Sequence, residues 1–568
     1  MSEMQLGGQL GGHLLVECLV AQGVPRVFGV PGESYLAVLD GFAQYAEQIE
    51  FVINRQEGGA AYMAEAQGKL TGRPGVCFVT RGPGATNASI GVHTAFQDST
   101  PMVLFVGDVA QDARDREAFQ EVDFAQMFGP LAKRMERIDD VHRIPEYVQR
   151  AFATAMNGRP GPVVVVLPED MLTRQTTARP LPRMEPVRAG VQPADLSVLL
   201  ARLRGAQRPL VIAGGGGWTL EAAAQLQDFA QAWDLPVACA FRYQDLMDNR
   251  SAHYTGDVGL GIAPHLAQAV QDADVLLALG ARMGEATTGG YTLLPVGSAR
   301  PGFIHVHADP DELNRVYTAE LAVCAGMPAA LAALSEATPP TAPLWSAWRA
   351  DLRQRFEAHS SPETARRALP GEVDMFALMA HVRAHLPEGV VCTNGAGNFA
   401  TWLHRFVPLA GWAANGVRQQ LAPTNGAMGY GVPAGIAAAL ETQRPVLTFT
   451  GDGDFLMNGQ ELATASARGV KTVVVLLNNG MYGTIRMHQE REYPGRTAGS
   501  TLANPDFVGL AQAYGYEAVR VARTEDFAEA WAQAWASPRG FLIEVMLDPE
   551  VITPKASLSD IRQAALDR

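Results

Sequence analysis

Chemistry in this sequence concentrates where apolar runs end in short polar clusters. The stretch VLTFTGDGDFLMNGQ begins with an apolar run, Val446–Thr450, that leads into Gly451-Asp452-Gly453-Asp454. A helix is expected over Asn458–Arg468, then a second buried strand over Thr472–Leu477, ending in Asn478-Asn479-Gly480. Asp452 and the amide oxygen of Asn479 thus fall at the carboxyl ends of strands, where doubly wound sheets bind ligands. Both are hard oxygen donors suited to Mg²⁺, which otherwise takes phosphate oxygens and water. The glycines beside Asp452 let backbone N–H groups come close to an anion. Asp454 sits where it would cap the helix that follows. A second acidic position, Glu57, opens an apparent helix over Gly58–Leu70. A carboxylate there suits the helix dipole or carries a chemical role; the position alone leaves both open.

These residues need strands and loops to hold them, and the sequence supplies both. Short apolar runs such as Val76–Val79, Met102–Val106, Val163–Leu167, Leu210–Ala213 and Val275–Leu279 alternate with helical stretches. Continuous apolar strands between helices indicate parallel sheets covered on both faces. Two stretches break the rhythm: RQTTARPLPRMEPVRAGVQP at 174–193, and TPPTAP at 338–343 with the charged helical segment after it. The expectation is three α/β domains, over 1–175, 190–340 and 365–550, and a C-terminal arm over 551–568. The 568 residues are 47% hydrophobic and 18% charged, with 57 glycines and 36 prolines. That is a globular composition with many loops. The net charge of −14 argues against a nucleic-acid surface. Five scattered cysteines without a CxxC argue against a disulfide framework or structural zinc. With neither a signal-peptide pattern at 1–12 nor an apolar run long enough to span a bilayer, a soluble cytoplasmic protein is expected.

The paired GDG and NN motifs resemble the thiamine diphosphate signature, and RQEGGAAYMAEAQGKL with the loop RGPGATN (Arg81–Asn87) resembles the pyrimidine-binding domain of the acetolactate synthase-like group of thiamine enzymes. The resemblance covers essentially the whole chain. It implies three doubly wound domains, for pyrimidine, centre and diphosphate. It also implies that Asp452, Asn479 and the Met481 carbonyl hold Mg²⁺ and through it the diphosphate, with Gly453 and Asp454 beside them. Glu57 would hydrogen-bond the aminopyrimidine, whose imino nitrogen removes the thiazolium C2 proton. In LAPTNGAMGYG, Met428 would support the bent cofactor and the Gly426 carbonyl would accept from its amino group. Pro31 and Asn87 would also lie against the cofactor, and Gly397 and Asn398 at its diphosphate. AFQEVD places Gln120 in the substrate pocket. The resemblance further implies a homodimer or homotetramer with active sites at the subunit interface, Glu57 coming from one subunit and Asp452, Asn479 and Met428 from the other.

Three positions depart from acetolactate synthases. In GARMGEATTGG, Arg282 is kept, but Ala286 stands where the family's second arginine binds a substrate carboxylate. His488 stands where the family tends to have a tryptophan, as a polar substrate contact, an acid/base group or an exposed helix residue. Glu33 follows Pro31-Gly32 directly, as in simple decarboxylases. In a partly desolvated pocket it would move protons; otherwise it is a turn carboxylate. The run Gly214–Gly217 suits a nucleotide phosphate, and the sequence leaves FAD open. The function expected is a Mg²⁺/thiamine diphosphate lyase or carboligase acting on a 2-keto acid. The alternatives are a simple decarboxylase, a 2-hydroxyacyl-CoA lyase-like enzyme, a pyruvate oxidase-like enzyme, or a non-catalytic paralogue.

Overall fold

The computed structural model describes residues 8–568. Most of the N-terminal stretch read for a signal-peptide pattern, residues 1–7, lies outside them. The chain divides into two compact units at Val187/Arg188, within the proline- and arginine-rich segment.

Eighteen strands form three six-stranded sheets in which all neighbours run parallel. The first unit contains β1 (Arg26–Gly29), β2 (Glu50–Ile53), β3 (Gly75–Val79), β4 (Met102–Asp108), β5 (Arg134–Arg137) and β6 (Pro162–Pro168), in the order β2-β1-β3-β4-β6-β5. The second unit contains two sheets. Its first has β7 (Pro209–Ala213), β8 (Val237–Ala240), β9 (Tyr254–Val258), β10 (Val275–Leu279), β11 (Ala299–His307) and β12 (Thr318–Cys324), ordered β9-β8-β7-β10-β11-β12. Its second has β13 (Val391–Asn394), β14 (Gln420–Leu421), β15 (Val446–Gly451), β16 (Val473–Asn478), β17 (Glu517–Val521) and β18 (Phe541–Met546), ordered β14-β13-β15-β16-β18-β17. The first and last sheets therefore share one strand order. In each, the order reverses between the first and third strands of the set, which opens a crevice at their carboxyl ends.

Burial explains why these runs become central strands. β4, β6, β15 and β16 are buried along their whole length, as expected for strands covered by helices on both faces. Two expectations about local structure are corrected. The helix after β15 begins at Asp452, not Asn458, and runs Asp452–Asn458 before a 3₁₀ turn at Gly459–Glu461 and a further helix, Leu462–Arg468. The stretch Arg81–Asn87 is no loop: Gly82–Asp98 is helical, and Pro83 in the first turn suits a helix start. The five cysteines are free, and no helix among the described residues is long and apolar enough to cross a membrane.

The two sheets of the second unit are tied by a buried ion pair. Arg418 donates twice to Asp245, at 2.8 and 2.8 Å, with side chains 5% and 0% exposed. Asp245 also accepts from the backbone N–H groups of Gln419 and Gln420. Removing one partner strands a buried charge, so Arg418→Met should cost about 3–5 kcal/mol. That loss is read as a lower thermal unfolding midpoint, and an unchanged midpoint would contradict the tie.

Candidate active site

The crevice of the last sheet holds a cavity of about 220 Å³. The loops after β13, β15 and β16 line it together with the 426–428 turn. Gly397, Asn398, Gly426, Met428, Asp452, Gly453, Asp454, Asn479 and Met481 all face it. Nine of the ten candidates that the sequence places in this part of the chain therefore share one cavity.

Asp452 is the first residue of its helix and only 2% exposed. Its carboxylate accepts from the N–H of Gly453 at 2.9 Å and of Gly480 at 2.9 Å, and from Nδ2 of Asn504 at 2.7 Å. Burial pushes its pKa up, and these donors oppose the shift. No cationic side chain among the described residues pairs with it. A buried carboxylate with donors but no counter-charge suits a divalent cation. The described residues contain no cluster of three His, Cys, Asp or Glu side chains that would hold a metal alone. The rest of a coordination shell would come from amide and carbonyl oxygens and from the ligand. Asn479 and Met481 line the same cavity and carry such oxygens, so the residues present fit Mg²⁺ bound with a diphosphate. Gly453 is needed for space, because a Cβ there would lie 2.5 Å from the Tyr482 ring.

Asp454 does not cap its helix, contrary to the expectation. It lies inside the first turn, with Gly451 at the N-cap. Its carboxylate accepts from Ala396 N–H at 3.1 Å, Gly429 N–H at 2.9 Å and the Thr450 hydroxyl at 2.7 Å. Burial pushes its pKa up to about 6 despite these bonds.

The C-terminal arm completes the wall. Val551 and Ile552 line the cavity, and Ile552 and Leu558 pack on Met481. Helix Leu558–Leu566 is fastened by Arg562, which donates to Glu490 at 2.7 and 2.7 Å. Val551, Ile552, Tyr482, Thr484 and Ile485 are lining residues that sequence reasoning missed. The signal for the last three was their place directly after the NN motif.

His488 is exposed on helix Gly483–Glu492 and does not line the cavity, whereas Thr484 and Ile485 of that helix do.

The first unit gathers the remaining candidates at its own crevice. Glu57 is the first residue of helix Glu57–Thr71, and its Oε2 accepts from Asn87 Nδ2 at 2.9 Å. Pro31 and Glu33 follow β1. Glu33 is 67% exposed and pairs with Arg81 at 3.3 Å, so within this chain it is not the desolvated carboxylate that proton transfer would favour. Arg81 also donates to Glu169. Gln120 has a left-handed backbone (φ +65°), as do Asp115 and Glu117 in the same loop. Such residues cost about 1–3 kcal/mol each and concentrate at functional sites. The Gln120 carbonyl accepts from Gly82 N–H, which fixes this loop to the start of helix Gly82–Asp98.

In the middle sheet Gly214 and Gly215 are closely packed. Gly215 has φ +78°, and a Cβ there would sit 2.0 Å from the Gly280 carbonyl. Arg282 faces Glu312 at 3.5 Å.

Comparison with known proteins gives three family matches in the same order as the sheets. Residues 10–127 match the N-terminal thiamine pyrophosphate-binding domain of thiamine pyrophosphate enzymes, 196–334 their central domain and 395–545 their C-terminal thiamine pyrophosphate-binding domain. The acetolactate synthase large subunit of Parasynechococcus marenigrum is 31% identical over 551 residues, covering 94% of this chain and 87% of that protein. The acetolactate synthase isozyme 2 large subunit of Escherichia coli is 31% identical over 568 residues, covering 97% and 99%. The chain belongs to the acetolactate synthase-like family of thiamine diphosphate-dependent enzymes. As a member of that family it is an enzyme of carbon–carbon bond formation and transfer, and its three sheets are the N-terminal, central and C-terminal domains of the thiamine enzymes. The mitochondrial acetolactate synthase of Schizosaccharomyces pombe is 30% identical over 576 residues, covering 95% of this family member and 83% of that protein.

Asp454→Ala removes the acceptor for three buried donors, each costing about 1–3 kcal/mol when left unmade. The variant should unfold at a lower temperature. Limited proteolysis should then cut first at 395–398 and 426–430; wild-type cleavage kinetics there would contradict the brace.

Proposed function

We propose that this enzyme is a Mg²⁺- and thiamine diphosphate-dependent carboligase or lyase acting on a 2-keto acid. The observation that carries the reading is the convergence of Asp452, Asn479, Met481, Met428 and Gly426 on one cavity at the switch point of the last sheet. When bound, thiamine diphosphate supplies the electron sink for decarboxylation of a 2-keto acid. Asp452, Asn479 and the Met481 carbonyl hold the Mg²⁺ ion. Gly397 and Asn398, with Gly453 and Asp454 beside the ion, would face the diphosphate. Met428 would support the cofactor, and the Gly426 carbonyl would accept from its amino group. Glu57, oriented by Asn87, holds the proton at the pyrimidine ring nitrogen, and Pro31 packs against that ring. Gln120 borders the substrate. The proposed assembly is a homodimer or homotetramer.

A second reading concerns the acceptor. Ala286 provides no guanidinium, and Arg282 is turned toward Glu312. A bidentate carboxylate clamp has no substitute in alanine. This favours an acceptor without a carboxylate, or a proton, over a second 2-keto acid.

Protein loaded with Mg²⁺ and thiamine diphosphate is incubated with pyruvate, with and without oxygen, and acetolactate, acetaldehyde and acetate are quantified. Acetolactate supports synthase chemistry with a different carboxylate anchor. Acetaldehyde without acetolactate supports the second reading, and oxygen-dependent acetate indicates oxidase chemistry. No turnover of pyruvate or other 2-keto acids refutes the proposal. Glu57→Gln should lower turnover about 10²–10⁴-fold while calorimetry still detects cofactor binding. Wild-type turnover in Glu57→Gln would remove that residue from the chemistry.

A further inference from the structure

Asn504 stands in the extended segment between the Met481–Thr501 bridge and helix Phe507–Ala513, which no motif marks. The segment is pinned at both ends. Leu502 N–H donates to the Gly480 carbonyl at 2.8 Å, and buried Phe507 packs edge-on against Phe455. Pro505 keeps the residue before it extended.

The Asn504 amide donates to Asp452 Oδ2 at 2.7 Å and to Asn478 Oδ1 at 2.9 Å. Asn478 donates in turn to Glu544 Oε1 at 2.8 Å, and Arg520 donates to Glu544 Oε2 at 2.7 Å. The chemistry fixes the direction of every amide in this chain of contacts. An ionised carboxylate only accepts, so Asn504 must turn its NH₂ toward Asp452. Asn478 must turn its NH₂ toward Glu544 and its oxygen toward Asn504. Both Asn504 N–H bonds are then used, and its Oδ1 is left buried without a protein partner. A buried acceptor left unmade is costly, and here it lies one side chain away from the carboxylate assigned to the ion.

We propose that Asn504 is a positioning residue for the divalent ion: its NH₂ group locks the Asp452 carboxylate in its binding orientation, and its buried oxygen accepts from water carried by the ion. Mg²⁺ usually keeps several waters, and outer-shell partners of this kind tune affinity by about 10–100-fold. The inference rests on the proposed assignment of Asp452 to Mg²⁺.

The test titrates Mg²⁺ into the full chain at saturating thiamine diphosphate. Binding is followed by calorimetry and by tryptophan fluorescence, since Trp402 lines the cavity. Asn504→Ala should raise the half-saturating Mg²⁺ concentration about 10–100-fold, and raising Mg²⁺ should restore most of the turnover. Asn504→Ser keeps one short donor and should fall between the two; it carries the test if the alanine variant does not fold. An unchanged Mg²⁺ requirement with a lowered thermal midpoint would overturn the proposal, leaving Asn504 as a brace of the fold. Wild-type protein that binds thiamine diphosphate without any Mg²⁺ dependence would overturn the ion assignment as well, which separates the two failures.

Discussion

One buried carboxylate gathers the loops on which the site depends. Asp454 has no cation in hydrogen-bond contact, and burial alone disfavours its charge. Three donors from three separate stretches of chain, at Ala396, Gly429 and Thr450, hold it in place. A carboxylate accepts several hydrogen bonds at once, and no neutral side chain of its size does so. The loop after β13, the turn carrying Met428 and the end of β15 are consequently fixed to one point. The cavity walls take their spacing from that point. With a pKa of about 6, the group is mostly ionised at neutral pH, the state in which all three donors are served.

Around this brace the remaining contacts divide by task. Asp452, two residues earlier in the same helical turn, faces the cavity and carries the negative charge that a metal would balance. Gly453, between the two acids, leaves room for Tyr482. Alternate residues of one helical turn thus serve the ligand and the scaffold. The C-terminal arm closes the far side through apolar contacts, Ile552 and Leu558 on Met481, and through the Arg562–Glu490 pair.

Much of this was legible in the sequence because it rests on local chemistry. Fully buried parallel strands read as unbroken apolar runs, so Val163–Leu167 and Thr472–Leu477 marked their sheets. Asp452 and Asn479 were legible as neighbours at one crevice because each directly follows an unbroken apolar run, and doubly wound sheets open their ligand sites at such strand ends. What stayed hidden depends on partners distant along the chain. Asp454 read as a helix cap because its true donors lie near positions 396 and 429. Arg81–Asn87 read as a loop because Gly-Pro-Gly is ordinarily a turn, whereas tertiary packing starts a helix there. Val551 and Ile552 carry no motif at all, and only the fold brings them to Met481. Glu33 and His488 carry chemistry-bearing side chains that are exposed in this chain, and exposure cannot be read from neighbours in sequence.

Of the three positions that depart from acetolactate synthases, Ala286 and His488 are not among the residues that line the cavity braced by Asp454, and Glu33 belongs to the other unit. Substitutions at those positions leave the donors to Asp452 and Asp454 untouched. Mutation can therefore explore new partner molecules at the periphery without first passing through a form that has lost its central chemistry. A lineage built this way diverges in what it joins or cleaves long before it diverges in how, and identity near 30% is compatible with an altered reaction on an unaltered catalytic engine.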